Sequence, residues 1–431
     1  MLFALVLGRK GVSYIQFLPY LYFSEIILLL IFLNIKKTYL GFVFTKSFLM
    51  LPFLLFSYGA IYLTLDIYDY GIDSIDKTGV KDFALMFYPI AIIASYMLLR
   101  SYQYYGEKHL IKILSILFLL NSIISITYPL RNILIPYVYH IEENIPIIFT
   151  YSANTFYLPS GLLFFLQINT LNKNIKIIGV ILSLVGIILL MERNPIVSII
   201  VTLMFMFLFI NRSVRILKFK SIIITSAVLI LSLSSFLELD SIKGMRVKMD
   251  IEGYSLLLES IINPVEDEDL NGTRSHRMYM WKTIFDGYLK EDIYFGAGYT
   301  KNIGDVIYVT FRSPHNSFLH ILWRFGLIGI LLIMAMLTVC LIIFVRYYKK
   351  NRMYKNDLFI TTGLNEWFIM IIIVGIMDSM FATLLESPFS ALPYYFLLGT
   401  GLYLYDKNKQ SNINEYKMKI LNNSSLRLVK N

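Results

Sequence analysis

"RSPHNSFLHILWRFGLIGILLIMAMLTVCLIIFVRYYKK", residues 312–350, contains the run that decides the fold. From Leu319 to Val345 the sequence is apolar enough, and long enough as a helix, to cross about 30 Å of hydrocarbon. It closes on the basic residues Arg346, Lys349 and Lys350. A transmembrane helix is therefore expected, opened by Pro314, which suits a first turn and cannot continue a helix from its N-terminal side. Directly behind that proline stand His315 and Asn316, at the boundary between water and hydrocarbon. An unpaired polar group buried there is costly, so the pair needs either a partner or a use.

The rest of the chain repeats the signal. Apolar stretches of spanning length lie near 13–33, 40–65, 82–99, 110–128, 148–170, 175–191, 195–210, 220–237, 364–382 and 389–405. With the run at 319–345 this gives about eleven or twelve transmembrane helices. The 431 residues are 57% hydrophobic and 16% charged, a balance that excludes a soluble globular domain. The fold class is an all-α, polytopic integral membrane helix bundle. Two spans, 175–191 and 195–210, are joined only by "ERNP" and read as a tight helical hairpin with Pro195 opening the second helix. "MLFALVLGRKG" places its apolar part before its basic part, the reverse of a cleavable signal. The single cysteine, Cys340, lies in an apolar run, so neither a disulfide framework nor a thiolate metal site is expected.

A formal charge of +10 raises the question of nucleic acid, but the basic residues are dispersed in short loops between spans and no nucleic-acid partner is expected. They follow the positive-inside pattern: "NIKK", "RSYQYYGEKH", "NKNIK", "NRSVRILKFK" and "RYYKKNRMYK" fall on one side, the cytoplasm. "DIYDYGIDSIDKTGVKD", "HIEENIP" and the long stretch 238–314 fall on the other. The chain divides accordingly into an N-terminal transmembrane bundle (1–237), a large periplasmic or extracellular loop (238–314), C-terminal transmembrane helices (315–405) and a cytoplasmic tail (406–431). The tail is rich in Lys and Asn and is expected to be disordered. The large loop far exceeds the length at which a connection usually has a functional reason, about 15 residues. "SLLLESII" and "MYMWKTIFDGYL" within it have the spacing of amphipathic helices, and "FGAGYTKNIGD" supplies glycine-rich backbone before the chain returns to the membrane.

Several residues are candidates for chemistry. His315 can accept a proton near neutral pH; the alternative is an interfacial His-Asn pair that only caps its helix. His320 and Arg324 follow at one-turn intervals after Asn316, and read as the polar side of a tilted interfacial helix. Arg193, in the short turn "ERNP", suits bidentate contact with phosphate, or else an ion pair with Glu192 or snorkelling toward headgroups. Arg274, His276 and Arg277 in "TRSHRMYMW" open a helix with Trp281 on its apolar side, a site for a phosphate-bearing ligand or for anionic headgroups. Asp378 sits in or near the end of a span, where a proton pathway is conceivable, and Glu386 lies in an external turn. There is no P-loop or dinucleotide fingerprint. His315 and His320 lack the spacing of a helical zinc pair, and neither a metal nor a cofactor is expected.

In order, these features resemble the O-antigen polymerase and O-antigen ligase superfamily of envelope glycosyltransferases. The resemblance rests on the arginine in "ERNP", the late external loop, Arg274 before Trp281 in "TRSHRMYMW", the glycine pair of "FGAGY", and "HNSFLHILWRFGLIG". Its specific part runs from Arg274 to Gly329. The chain departs from the pattern at Glu192 and Asn194, where many members carry small residues beside the arginine. The resemblance implies a GT-C-like bundle in the inner (cytoplasmic) membrane. It implies transfer of a glycan from an undecaprenyl-diphosphate-linked donor, inverting and metal-independent, with no nucleotide sugar. His315 would be the catalytic base, with Arg193, Arg274, Arg277 and Asn316 binding substrate. Of the branches, the polymerase joining lipid-linked repeat units is preferred; the alternatives are the ligase that transfers finished chains to lipid A-core, and a flippase for lipid-linked oligosaccharide. Implied partners are lipid-linked donor and acceptor glycans, membrane lipids and a chain-length regulator protein.

Overall fold

The computed structural model describes residues 16–18, 21–34, 46–72, 75, 77–102, 106–127, 140–142, 145–146, 154–190, 193–210, 279–301, 315–351 and 357–428. The helices are α1 (Phe23–Asn34), α2 (Ser47–Tyr70), α3 (Lys77–Phe87), α4 (Ile90–Tyr102), α5 (Glu107–Thr127), α6 (Asn154–Gln167), α7 (Lys173–Leu190), α8 (Arg193–Ile210), α9 (279–288), α10 (Ser317–Asn351), α11 (Leu358–Thr361), α12 (Leu364–Phe381) and α13 (Pro388–Leu428). A 3₁₀ turn, Leu384–Glu386, joins α12 to α13. Two minimal antiparallel pairings, Gln16–Leu18 with Leu21–Tyr22 and His140–Glu142 with Ile145–Pro146, are the only ladders among the described residues. The chain is an all-α polytopic membrane protein. Among the described residues α2, α5, α10 and α12 are each long and apolar enough to span a bilayer.

Burial sorts the helices. In α12 every residue from Leu364 to Gly375 is buried, as befits a helix that is apolar all round, and it packs against α6, α8 and α10. The outer helices instead leave apolar rows uncovered: Ile113, Ile116, Leu120 and Ile123 on α5, and Ile200, Met204 and Phe207 on α8. Such faces are stable against lipid. The closest helix approach uses a small residue. A Cβ at Gly399 of α13 would come within 2.2 Å of the Ile92 carbonyl of α4.

The expected span at 82–99 is divided between α3 and α4 by a turn at Tyr88–Pro89, because Pro89 cannot donate to the preceding helical turn. The Tyr88 hydroxyl at that break donates to Glu25 of α1 at 2.8 Å. The expected span at 220–237 lies outside the described residues.

The described parts of several loops expected on one side lie at one end of the bundle. Asp406 is bound by Lys46 Nζ at 2.6 Å and the Tyr96 hydroxyl at 2.7 Å, with Arg100 3.8 Å away. Asn408 donates to Glu107 at 2.8 Å, and Asn412 to Asp357 at 2.9 Å. Asn169 after α6 bonds the carbonyls of Thr361 and Thr362. These same contacts correct the expectation of a disordered tail: α13 continues through Asp406 to Leu428, its turns from Asp406 to Asn412 pinned by Asp406, Asn408 and Asn412.

Asp406 is the hub of that end, holding ligands from α2's start and from α4. Asp406→Ala leaves Lys46, Tyr96 and Arg100 facing one another without a carboxylate. A loss of about 2–4 kcal/mol is expected for a largely buried, charge-assisted set. It should be read as a lower thermal midpoint in detergent and faster proteolysis within 407–428; an unchanged midpoint and cleavage rate would remove Asp406 from this role.

Candidate functional site

The opposite end of the bundle carries the His-Asn pair. His315 is half-buried and has φ 52°, in the left-handed region that a non-glycine residue occupies only at a cost of about 1–3 kcal/mol. Asn316 is the N-cap of α10: its side-chain oxygen accepts from the Leu319 N–H at 3.0 Å and its carbonyl from the His320 N–H at 3.0 Å. The capping alternative is thus realised for Asn316. Ser317 then fastens the first turn of α10 to the 382–386 turn, its hydroxyl accepting from the Leu385 N–H at 3.3 Å and donating to the Ala382 carbonyl at 3.4 Å.

The same end receives the start of α8. Asn194 donates to Asp378 near the end of α12 at 2.5 Å, and Asp378 supplies the carbonyl that caps α12 through the Ala382 N–H at 2.7 Å. Arg193 is the first residue of α8 rather than a residue of the preceding turn. The structure therefore brings the beginnings of α8 and α10 to the end of α12. The Arg193 side chain, and Arg274, His276 and Arg277 entirely, lie outside the described residues. Asp378 serves as a helix-joining acceptor.

Ten residues past Asn316, α10 breaks. Gly326 has φ 60° and ψ −160°, and the external segment fills the gap. The carbonyls freed on one side accept from that segment or from α2: Trp323 from the Ala297 N–H at 2.8 Å, Arg324 from the Gly298 N–H at 3.1 Å, and Phe325 from the Tyr58 hydroxyl at 2.9 Å. On the other side the Leu327 and Ile328 N–H groups donate to the carbonyls of Ile293 and Tyr294 at 3.0 and 3.2 Å. The glycines of "FGAGY" are what let the two backbones touch. A Cβ at Gly296 would lie 2.6 Å from the Gly326 nitrogen, and one at Gly326 would lie 2.3 Å from the Tyr294 carbonyl.

Side chains complete the docking. Met280, Ile284, Tyr288, Ala297 and Trp323 form a small core, with Trp281 packed against it as its place on the apolar side of α9 implies. The Tyr288 hydroxyl donates to the Ile293 carbonyl at 2.5 Å; burial first, and the nearby Asp292 second, push its pKa upward and keep it a donor. On α2, Tyr58, Tyr62 and Asp66 recur at four-residue intervals and receive the loop. Tyr62 donates to the Gly296 carbonyl at 3.3 Å, and Asp66 accepts from the Tyr299 N–H at 2.6 Å.

Beneath the mouth lies a buried ionic cluster. His320 and Arg324 are 1% and 0% exposed, which overturns their reading as the polar side of an interfacial helix. One Asp82 oxygen sits 2.6 Å from Arg324 Nη2 and 3.4 Å from His320 Nε2, and His320 Nδ1 lies 3.0 Å from Glu386 Oε2. Arg324 Nη1 donates to the Gly298 carbonyl at 2.9 Å and also to the Lys301 carbonyl. Four elements, α3, α10, the 384–386 turn and the external loop, are joined through these groups. The sequence offered one signal, the four-residue spacing of His320 and Arg324; Asp82 and Asp66 looked like the ends of an acidic external loop.

Fold and site together define a polytopic membrane protein with a polar, histidine-bearing helix start and, two turns along that helix, a break filled by the segment 293–298. Residues 178–334 match the family model Wzy_C, described as O-Antigen ligase. The match is a likeness of this part of the chain to that family. It takes in α8, the external segment, His315, Asn316 and the break at Gly326, but neither Asp82 nor Glu386. No curated protein matches the chain.

Gly326→Ala puts a Cβ into the Tyr294 carbonyl and strains a left-handed residue. The segment 289–301 should detach from α10, so that trypsin cuts at Lys290 and Lys301, both already on the surface, faster than in the wild type, where the backbone is held. Equal protection in the variant would show that the break does not hold the segment.

Proposed function

We propose that the protein is a glycosyltransferase that joins undecaprenyl-diphosphate-linked oligosaccharide repeat units into longer chains at the outer face of the cytoplasmic membrane. The observation that carries this reading is the convergence, at one end of the bundle, of the His315–Asn316 turn, the start of the Arg193 helix and the end of α12. The likeness to the O-antigen ligase family supports transfer of a lipid-linked glycan as its class of reaction.

In this mechanism an acceptor sugar hydroxyl attacks the anomeric carbon of the donor from the face opposite the diphosphate. The new C–O bond forms as the bond to the phosphate oxygen breaks, inverting the anomeric centre and releasing undecaprenyl diphosphate. His315 takes the hydroxyl proton. Arg193, Arg274 and Arg277 bind the diphosphate and stabilise charge growing on the leaving oxygen, work for which a planar guanidinium is suited. Asn316, as the cap of α10, fixes the turn that presents His315.

A second reading, transfer of finished chains to lipid A-core, is favoured by the printed description of the matching family as a ligase. The products separate the two. In a strain lacking the protein, single repeat units with no longer chains on lipid carrier or final acceptor support polymerisation. Long chains stranded on the carrier support ligation, and an unchanged glycan profile removes both. Complementation with His315→Ala should restore no transfer, a loss of at least about 100-fold for a general base, with normal amounts of protein in the membrane; near-normal chains would exclude His315 as the base.

A further inference from the structure

Glu386 was read from sequence as part of an external turn, yet its side chain is 8% exposed and turns inward. One carboxylate oxygen, Oε2, faces His320 at 3.0 Å. The other, Oε1, is buried and makes no hydrogen bond among the described residues. A buried acceptor left unsatisfied costs stability, so such a group is expected where function rather than stability fixes the residue.

Its place gives that function a substrate. Leu385, the residue before it, is bound to Ser317, two residues after His315 and one after the Asn316 cap. The Glu386 turn is therefore a wall of the same mouth. The position of the carboxylate is over-determined from behind: His320 holds Oε2, Asp82 lies against the other nitrogen of that ring, and Arg324 fixes Asp82 while binding the carbonyls of Gly298 and Lys301. A carboxylate held on one oxygen and without a hydrogen bond on the other keeps an acceptor in reserve for a sugar hydroxyl that reaches it, because a carboxylate accepts hydrogen bonds and never competes as a donor.

We propose that Glu386 is a carbohydrate-binding residue of the mouth, taking a hydroxyl of the lipid-linked glycan on Oε1, and that His320 is its positioning residue. This deepens the function proposed above and rests on it. Glu386 binds sugar and His320 acts only through Glu386, so substitutions at the two positions raise KM and do not compound.

The test uses the full-length protein in nanodiscs and lipid-linked oligosaccharide extracted from a strain lacking it. Rates are expressed per folded protein. Glu386→Gln, nearly isosteric, and His320→Gln should each raise KM about tenfold or more, as expected for losing a charge-assisted hydrogen bond, with kcat changed less than about threefold. The double variant should match the worse single one. His315→Ala, run alongside, should abolish kcat. If His315→Ala is inactive while Glu386→Gln keeps the wild-type KM, the assignment of Glu386 is overturned and the transfer reading stands. If His315→Ala is fully active, His315 is excluded as the base and transfer itself stands; if the wild-type protein transfers no glycan in this assay, the transfer reading fails. A purely structural role would lower the amount of folded protein and leave KM unmoved, which also overturns the proposal. Should His320→Gln not fold, Glu386→Gln decides alone.

Discussion

The structure turns on how the backbone groups at the Gly326 break are satisfied. In hydrocarbon no water can bond a free carbonyl or N–H, so a break in a spanning helix survives only where protein supplies every partner. Here protein supplies partners on both sides: Ala297, Gly298 and Tyr58 donate to the three carbonyls before the break, and Ile293 and Tyr294 accept from the two N–H groups after it. The external segment is thus an integral part of α10. Three glycines, 296, 298 and 326, make that approach possible, each at positive φ. What looks in the sequence like loose loop punctuation is a close-packed joint.

That joint explains why a fully buried arginine is tolerated two turns below the mouth. Arg324 stands two residues before Gly326, so the break delivers the Gly298 and Lys301 carbonyls to its guanidinium while Asp82 balances its charge. Removing one member of such a pair strands the other, at roughly 3–5 kcal/mol, even where replacing both with apolar groups would cost little. The cluster is better understood as fixing positions than as adding net stability. It ties α3, the external loop and the 384–386 turn to a single turn of α10.

Hydropathy made the class of fold legible. The run 319–345 announced α10, the hairpin around Pro195 became α7 and α8, and Arg100, from one of the basic loops, lies beside Asp406. What escaped was polar in a setting where polar letters are read as surface. Asp66 and Asp82 flank an acidic stretch and look solvated, but each is buried against a partner more than 200 residues away, Tyr299 or Arg324. Such pairings leave no trace in local periodicity. His320 and Arg324 showed their shared face but not what covers it. Pro89 was read through as part of a span, because its surroundings are apolar whether or not the helix continues.

The two histidines of α10 illustrate how position divides labour along one helix. His315 lies outside the helix, on a strained backbone, at the mouth; His320 lies one turn inside, on regular helix, sealed between two carboxylates. On the function proposed above, His315 has to be reachable to take a proton from substrate, whereas His320, held between carboxylates, does not. Between them, Asn316 and Ser317 convert the helix start into a fixed point, one by capping it and the other by tying it to the 382–386 turn. Any shift of the external segment must pass through Arg324 and Asp82 to His320 and Glu386, so mouth and segment behave as one body. The geometry of that body is set by a glycine, a guanidinium and a backbone exchange that hydropathy alone cannot reveal.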